Sequence, residues 1–172
     1  VAADKREVPP YVYHVAKNDN QSDCVCPGCL AAVKRYNGNH AGLMMEFVSD
    51  IANRVGKVHK NVLFAFLGYT TDEIPVKGYK LPSNVMVVTA QLGSEFMTRV
   101  NRDSMRSIHH PNNALAKKYM LEWRKAAKHY SIWDYWILFR QHYAGPATNV
   151  SALVDNIRFY ADLKLEHIFA ET

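Results

Sequence analysis

Two uninterrupted apolar runs constrain the fold of this chain more than any other feature of its sequence. Residues 62–67 (VLFAFL) and 85–89 (VMVVT) hold no polar side chain apart from the final threonine. A strand that is apolar on both faces must be covered on both faces, which is the usual situation in a parallel sheet. The two runs therefore predict an α/β fold built on buried parallel strands.

Amphipathic segments and further strand candidates alternate along the rest of the chain. Leu43, Phe47, Ile51 and Val55 recur every four residues, so the pattern predicts a helix over residues 40–57. An apolar face also predicts a helix over residues 114–129, and Asn149 is a plausible N-cap for a helix over residues 150–163. Strands are predicted over residues 11–16, 131–138 and 167–170.

The order of these segments indicates a parallel sheet with right-handed crossovers. The connection between residues 67 and 85 carries Pro75, Gly78 and Pro82 without a helical period, so one crossover helix is expected to be missing or reduced there. Residues 91–113 form a polar stretch that is longer than loops without a function usually are. Such a chain fits an open doubly wound sheet or part of a TIM-type barrel.

Length and charge narrow the class of protein. The 172 residues suffice for one domain, with residues 1–10 (VAADKREVPP) as a polar N-terminal linker. The net charge of +5 comes from basic residues spread along the chain, which argues against a nucleic-acid partner. No run of 18 apolar residues occurs, so no membrane span is predicted. The opening residues lack the apolar core of a signal peptide and fit a mature secreted protein, a proteolytic product or a boundary within a longer chain.

Carboxylates lie at or near the ends of three predicted strands. Asp19 follows the first, Asp134 lies in the fourth, and Glu171 ends the last. Active sites of parallel α/β folds form at the carboxyl ends of the strands. Glycoside hydrolysis needs two carboxyl groups, one to protonate the leaving oxygen and one to act as base or nucleophile, and no cofactor. We therefore take these three as candidate catalytic residues, with loop or helix capping as the alternative.

Aromatic and amide side chains accompany the carboxylates. Tyr69, Trp133 and Tyr135 lie at or near strand ends, where flat rings can stack on sugar faces, and Asn18 can orient a sugar or the acid. Core packing is the alternative, since Trp and Tyr are good strand formers. Alternation puts Trp133 and Tyr135 on one face of the strand and Asp134 on the other, and either face suits the interior of a barrel.

The cysteines of the chain, Cys24, Cys26 and Cys29, lie within a single short segment. Thiolates this close can share one Zn²⁺, and because a structural zinc site normally has four ligands, His14, His40 or a residue outside the chain would complete it. One local disulfide with a spare thiol is the alternative. Both readings give the cysteines a structural role, with zinc as the candidate cofactor.

Several short motifs follow one another in a specific order. KNDN (residues 17–20) precedes the Cys-x-Cys-x-x-Cys segment, and a helix carrying FVSDIANRV (residues 47–55) comes next. FLGYT, IWDY and NIRFY follow at residues 66–70, 132–135 and 156–160. In this order the motifs resemble a bacterial family known as domain of unknown function 4838. The similarity extends over nearly the whole chain, and its most specific part is Asn-Asp followed by three cysteines.

The resemblance implies a barrel similar to family-20 hexosaminidases and family-67 alpha-glucuronidases, of which the present strands would be the fourth to the eighth. In hexosaminidase-like barrels an acidic pair ends the fourth strand and supplies the general acid. Asn18-Asp19 takes that place here, so Asp19 is the one candidate acid. The resemblance thus implies a glycoside hydrolase-like enzyme acting on a carbohydrate, secreted, periplasmic or on the cell surface, with the remainder of its own barrel as its partner. A non-catalytic carbohydrate-binding barrel and a metal-stabilised structural module are the alternatives.

Overall fold

The computed structural model describes residues 11–20, 22–90, 102–103, 106–136 and 150–171 of the chain. Its centre is a five-stranded parallel sheet, curled into a half-barrel, whose strands lie side by side in sequence order. An in-order sheet is the arrangement of a partial barrel, because the strand order of a doubly wound sheet reverses partway. The predicted α/β class and parallel strands are confirmed. The strands are β1 (Val12–His14), β2 (Leu63–Gly68), β3 (Val85–Thr89), β4 (His129–Tyr135) and β5 (Ile168–Glu171).

Four helices lie between the strands in the part of the chain that the structure describes: α1 (Pro27–Arg35), α2 (Ala41–Val55), α3 (Ala114–Ala126) and α4 (Val150–Asp162). The three helices predicted from the sequence correspond to α2, α3 and α4. Helix α3 ends earlier than predicted because β4 already begins at His129. None of the described helices is both long and apolar enough to cross a membrane.

Helix α1 was not predicted, because residues before His40 offer no long apolar period. Its start has a different signal: the Cys26 sulfur accepts a hydrogen bond from the Cys29 backbone N–H at 3.5 Å, and Pro27 occupies the first turn. The helix stops before Asn37 and Gly38, both of which have positive φ. Local start and stop signals therefore define α1, and they place Cys26 and Cys29 one helical turn apart.

The connection from β2 to β3 contains a single 3-10 turn, Thr70–Asp72, which confirms the predicted absence of a crossover helix there. Trp123 of α3 packs against β2 and against the connection from β2 to β3. Its indole is fully buried, lies edge-on to Phe66 with ring centroids 5.8 Å apart, and donates from Nε1 to the Glu73 carbonyl at 2.8 Å. A Cβ on Gly68 would lie 3.3 Å from the indole, which favours glycine at that position.

The two faces of the sheet carry two separate apolar clusters. One face packs against the helices through side chains such as Phe66, Val87 and Ile132. The opposite face, called here the inner face, carries a smaller cluster that includes Trp133. Asp134, its neighbour in β4, therefore faces the helices. The inner cluster consists of Ala65, Met86 and Val88, packed against Val12, Leu63, Leu67 and Trp133.

Candidate functional site at the carboxyl edge of the sheet

Because all the strands run parallel, their carboxyl ends lie along one edge of the sheet, called here the carboxyl edge. The residues that follow β1 and β2 form one part of it, and the last residues of β4 and β5 form the other. This is the edge at which parallel α/β proteins build their sites. Carboxylates, phenols, a lysine and the cysteines lie at this edge or beside it.

Asp19 lies at the carboxyl edge beyond β1 and is exposed. The hydroxyl of Tyr69, the residue directly after β2, donates to Asp19 Oδ1 at 3.0 Å. Tyr69 itself is only 7% exposed, and burial followed by the bond to Asp19 raises the pKa of Tyr69 to about 12. The phenol therefore stays protonated at neutral pH and fixes the position of the Asp19 carboxylate.

The aromatic residues of β4 lie on the inner face near this pair. Tyr135, the last residue of β4, lies two strands away from β2, and its electrostatic effect is the smallest of the named causes that raise the pKa of Tyr69. Trp133 lies two residues further from the edge and packs against Phe169 of β5, with ring centroids 4.1 Å apart. Of the sequence-predicted residues, the structure thus brings Asp19 and Tyr69 into contact and places Trp133 on the inner face of β4.

Asp134 lies on the other face of the sheet, away from this group. Both of its carboxylate oxygens have partners: Arg102 Nη1 lies 2.5 Å from Oδ1, and the Tyr160 hydroxyl donates to Oδ2 at 2.9 Å. The Tyr135 backbone N–H and the Trp136 indole complete the set at 3.0 and 3.2 Å. The side chains of Arg102 and Asp134 are 2% and 1% exposed. A carboxylate so fully engaged and buried favours a structural role for Asp134, so we leave it out of the site proposed below.

The remaining predicted residues lie at the carboxyl edge as well. Glu171 ends β5, and its Cα is in register with that of Tyr135, while its side chain lies outside the described part of the chain. Asn18 is exposed between the end of β1 and Asp19, and it borders the cavity described below.

A network of charged and polar side chains joins the loops after β1 and β2; we call it the rim network (Lys17, Asp23, His40, Thr71 and Asp72). The Lys17 ammonium donates to Thr71 Oγ1 and lies 3.3 Å from Asp23 and 3.4 Å from Asp72. Thr71 donates to Asp23 at 3.1 Å, and His40 Nδ1 lies 3.0 Å from the other Asp23 oxygen. One cation thus links two carboxylates from loops that are distant in sequence.

The turn after β2 brings Asp72 into this network through a strained residue. Thr70 has φ of +53°, a left-handed conformation that is costly for a β-branched residue. The Asp72 side chain is only 4% exposed, and its burial raises its pKa, although Lys17 acts in the opposite sense. Strain and charge burial at one turn are typical of a functional segment rather than of a simple connection.

A cavity of about 390 Å³ opens beside the rim network. Its polar wall contains Lys17, Asp23 and His40, and its apolar wall is formed by α2. Two of the cysteines, Cys24 and Cys29, also line it. The full lining is Ala16, Lys17, Asn18, Ser22, Asp23, Cys24, Cys29, His40, Leu43, Met44, Phe47 and Asp72.

The three cysteines form one group, called here the thiol cluster (Cys24, Cys26 and Cys29). Their sulfur atoms all lie within 4.8 Å of one another, and none is in a disulfide. The Cys29 backbone N–H and the neighbouring thiols lower the pKa of Cys26 to about 7, whereas hydrogen bonds to Cys24 and Cys26 raise the pKa of Cys29 to about 11. Among the described residues, this is the one group of three or more His, Cys, Asp or Glu side chains close enough to share a metal ion.

Sequence reasoning missed Lys17, Asp23 and Asp72 as members of the site. Asp72 follows the apolar run of β2 within four residues, so the rule that selected Asp19 would also have selected it. Lys17 belongs to the KNDN motif but was not assigned a role. Its pairing with Asp72 joins residues far apart in sequence, which no local pattern reveals.

The chain was compared with protein-family models, curated proteins and solved structures. Residues 3–172 match the model of the family described as Domain of unknown function (DUF4838). No curated protein and no solved structure matches the chain. The match spans nearly every residue, including the Asn18-Asp19 pair, the thiol cluster and the Tyr69 segment. The chain therefore belongs to the DUF4838 family.

Proposed function

We propose that this domain binds a carbohydrate at the carboxyl edge of its sheet and hydrolyses an O-glycosyl bond, with Asp19 as the general acid. The observation that carries the proposal is the Asp19–Tyr69 pair: an exposed carboxylate at a strand end, held by a buried phenol at 3.0 Å. Catalytic carboxyl groups need such fixed positions, because misplacement by about 1 Å can cost 100-fold in rate.

Glu171 is the proposed second carboxyl group. Its backbone ends β5 in register with Tyr135, so the loop after β1 and the end of β5 would contribute the two groups from the two outer strands of the half-barrel. We infer that the inner face is the concave face of the curled sheet, so that the outer strands would face each other across it. Asp134, whose oxygens are occupied on the other face, is not required.

Aromatic rings on the inner face supply the proposed sugar contacts. Tyr135 ends β4 at the carboxyl edge, and Trp133 and Phe169 form a ring pair one step below that edge. Flat rings of this kind stack on sugar faces while a hydroxyl or indole N–H binds a polar group. Asn18, exposed beside Asp19, would orient the sugar. We also infer that the strands are the fourth to eighth of a TIM-type barrel, as the family resemblance implies; five parallel strands in sequence order would make up five of its eight strands.

The test is hydrolysis of a panel of aryl glycosides and oligosaccharides by the full-length protein and by its Asp19→Asn variant. Loss of the general acid lowers the rate by about 100- to 10,000-fold. Tyr69→Phe should lower it by about 10- to 100-fold, since a hydrogen bond to a charged group contributes about 1.5–3 kcal/mol. Asp50→Asn, an exposed change on α2 outside the site, is the matched control and should leave the rate unchanged. Undiminished turnover by Asp19→Asn would disprove the assignment.

Carbohydrate binding without hydrolysis is the second candidate function. The observation that favours it is the structural engagement of Asp134, which reduces the number of carboxylates available at the carboxyl edge. This function predicts glycan affinity that is lost on Tyr69→Ala or Trp133→Ala, with no turnover on any glycan of the panel. Measurable hydrolysis that depends on Asp19 would exclude it.

A further inference from the structure

We propose that the thiol cluster binds one Zn²⁺ through Cys24, Cys26 and Cys29 and leaves the fourth coordination position open toward the adjacent cavity. This site is separate from the Asp19–Tyr69 pair, and it does not depend on the proposed glycoside hydrolysis.

The spacing of the sulfur atoms fits a shared ion. A tetrahedral zinc bound at about 2.3 Å to each sulfur needs sulfur atoms roughly 3.8 Å apart. The three sulfurs already lie within 4.8 Å of one another, so a contraction of about 1 Å closes the site. Cys29 is fixed in the first turn of α1, and Cys26 caps that helix, so two of the three ligands are positioned before an ion binds.

The fourth coordination position of the zinc ion would open into the adjacent cavity. Cys24 and Cys29 line it, so an ion held by the thiol cluster lies at its wall. His40, the histidine of this cavity, is not within 4.8 Å of the three sulfurs; its Nδ1 lies 3.0 Å from Asp23 instead. Zinc sites with three protein ligands and one free position bind water or a substrate group, whereas structural sites are closed by a fourth protein ligand.

The cavity also limits what such a ligand can be. Its volume of about 390 Å³ suits a small molecule or one substituent of a larger one. Lys17, Asp23 and His40 provide polar contacts on one side, and Leu43, Met44 and Phe47 provide an apolar wall on the other. A small nitrogen or oxygen donor with an apolar part fits this combination.

The first experiment counts thiols and zinc in the full chain. All three cysteines of the sequence belong to the cluster, so thiol reactivity reports on this site alone. We expect one zinc per chain, three thiols protected from a thiol reagent, and three thiols released after chelation. Each Cys→Ser variant should lose more affinity than the roughly 10- to 100-fold that loss of an outer-shell partner costs. Three freely reactive thiols in the presence of Zn²⁺, or a single thiol with a disulfide, would overturn the proposal.

The second experiment tests the open position with Co²⁺ as a spectroscopic substitute and imidazole as the probe ligand. We expect imidazole to shift the visible spectrum of the cobalt-loaded chain, because it enters the fourth position. His40→Ala should change zinc affinity no more than His109→Ala, an exposed histidine elsewhere. Two results together would mean a closed site with His40 as the fourth ligand. The visible spectrum would not change when imidazole is added, and zinc affinity would fall by more than 100-fold in His40→Ala but not in His109→Ala.

Discussion

Mutation of the buried ion pair between Arg102 and Asp134 tests whether the Asp134 carboxylate stabilises the fold. Both side chains are at most 2% exposed, and Nη1 of Arg102 lies 2.5 Å from Asp134 Oδ1. Asp134→Asn keeps the shape of the side chain but removes its charge, which leaves the guanidinium buried without its counter-ion. Breaking a buried pair in this way costs about 3–5 kcal/mol.

The magnitude can be measured by urea unfolding or by heat. For a domain of this size 1 kcal/mol corresponds to about 2–4 °C, so Asp134→Asn should lower the melting temperature by roughly 6–20 °C. Burial raises the pKa of Tyr160, so its phenol remains a donor to Asp134, and Tyr160→Phe should cost about 1.5–3 kcal/mol.

A surface pair provides the matched control for this experiment. Asp155 and Arg158 lie 3.9 Å apart, and their side chains are 49% and 75% exposed. Asp155→Asn should therefore change the free energy of unfolding by no more than about 0.5 kcal/mol. If Asp134→Asn changes the free energy of unfolding no more than this control does, then Asp134 does not stabilise the fold. The reason for excluding it from the site would then be wrong.

Three further predictions concern other parts of the chain. Asn113 is fully buried, and its side-chain amide donates to the carbonyls of the preceding loop. Asn113→Asp should therefore lower the free energy of unfolding, measured by urea denaturation, by about 2–4 kcal/mol. An effect under about 1 kcal/mol would contradict this. Gly42→Ala should cost about 1–3 kcal/mol in the same assay, because a Cβ there would lie 2.1 Å from the Tyr36 ring, and an unchanged stability would refute that packing. Burial raises the pKa of Asp72 above the ordinary value of an aspartate, so the folded state holds this proton more tightly than the unfolded chain does. As pH falls from 7 toward about 4, the parent should therefore gain stability relative to Asp72→Asn, and a difference that is constant or reversed would contradict the sign.

The sheet and three of its helices could be predicted because their signals are local: apolar runs for the strands, apolar periods for α2 and α3, and a candidate N-cap for α4. The runs at residues 62–67 and 85–89 fix buried strands, and the absence of a period before residue 85 correctly indicates the missing crossover helix. Helix α1 escaped prediction because its short sequence has a weak period, and its start depends on one cysteine cap and one proline.

The candidate site could be predicted only where it depends on strand ends. Tyr69 follows β2 directly and Asp19 lies in the loop after β1, so their contact at the carboxyl edge follows from parallel strands. The role of Asp134 could not be deduced, because alternation gives two possible faces and its partner Arg102 comes from a polar segment without a periodic pattern. Lys17 and Asp72 meet only through the tertiary fold.

The most direct test of the account compares hydrolysis and stability in the Asp19→Asn variant of the full-length protein. Asp19 is exposed, and the amide oxygen of asparagine can still accept the hydrogen bond from Tyr69, so the variant should melt within a few degrees of the parent. Its rate on the best glycoside of the panel should fall by about 100-fold or more. A folded Asp19→Asn protein that hydrolyses the glycoside at the parental rate would contradict the assignment of Asp19 as the general acid.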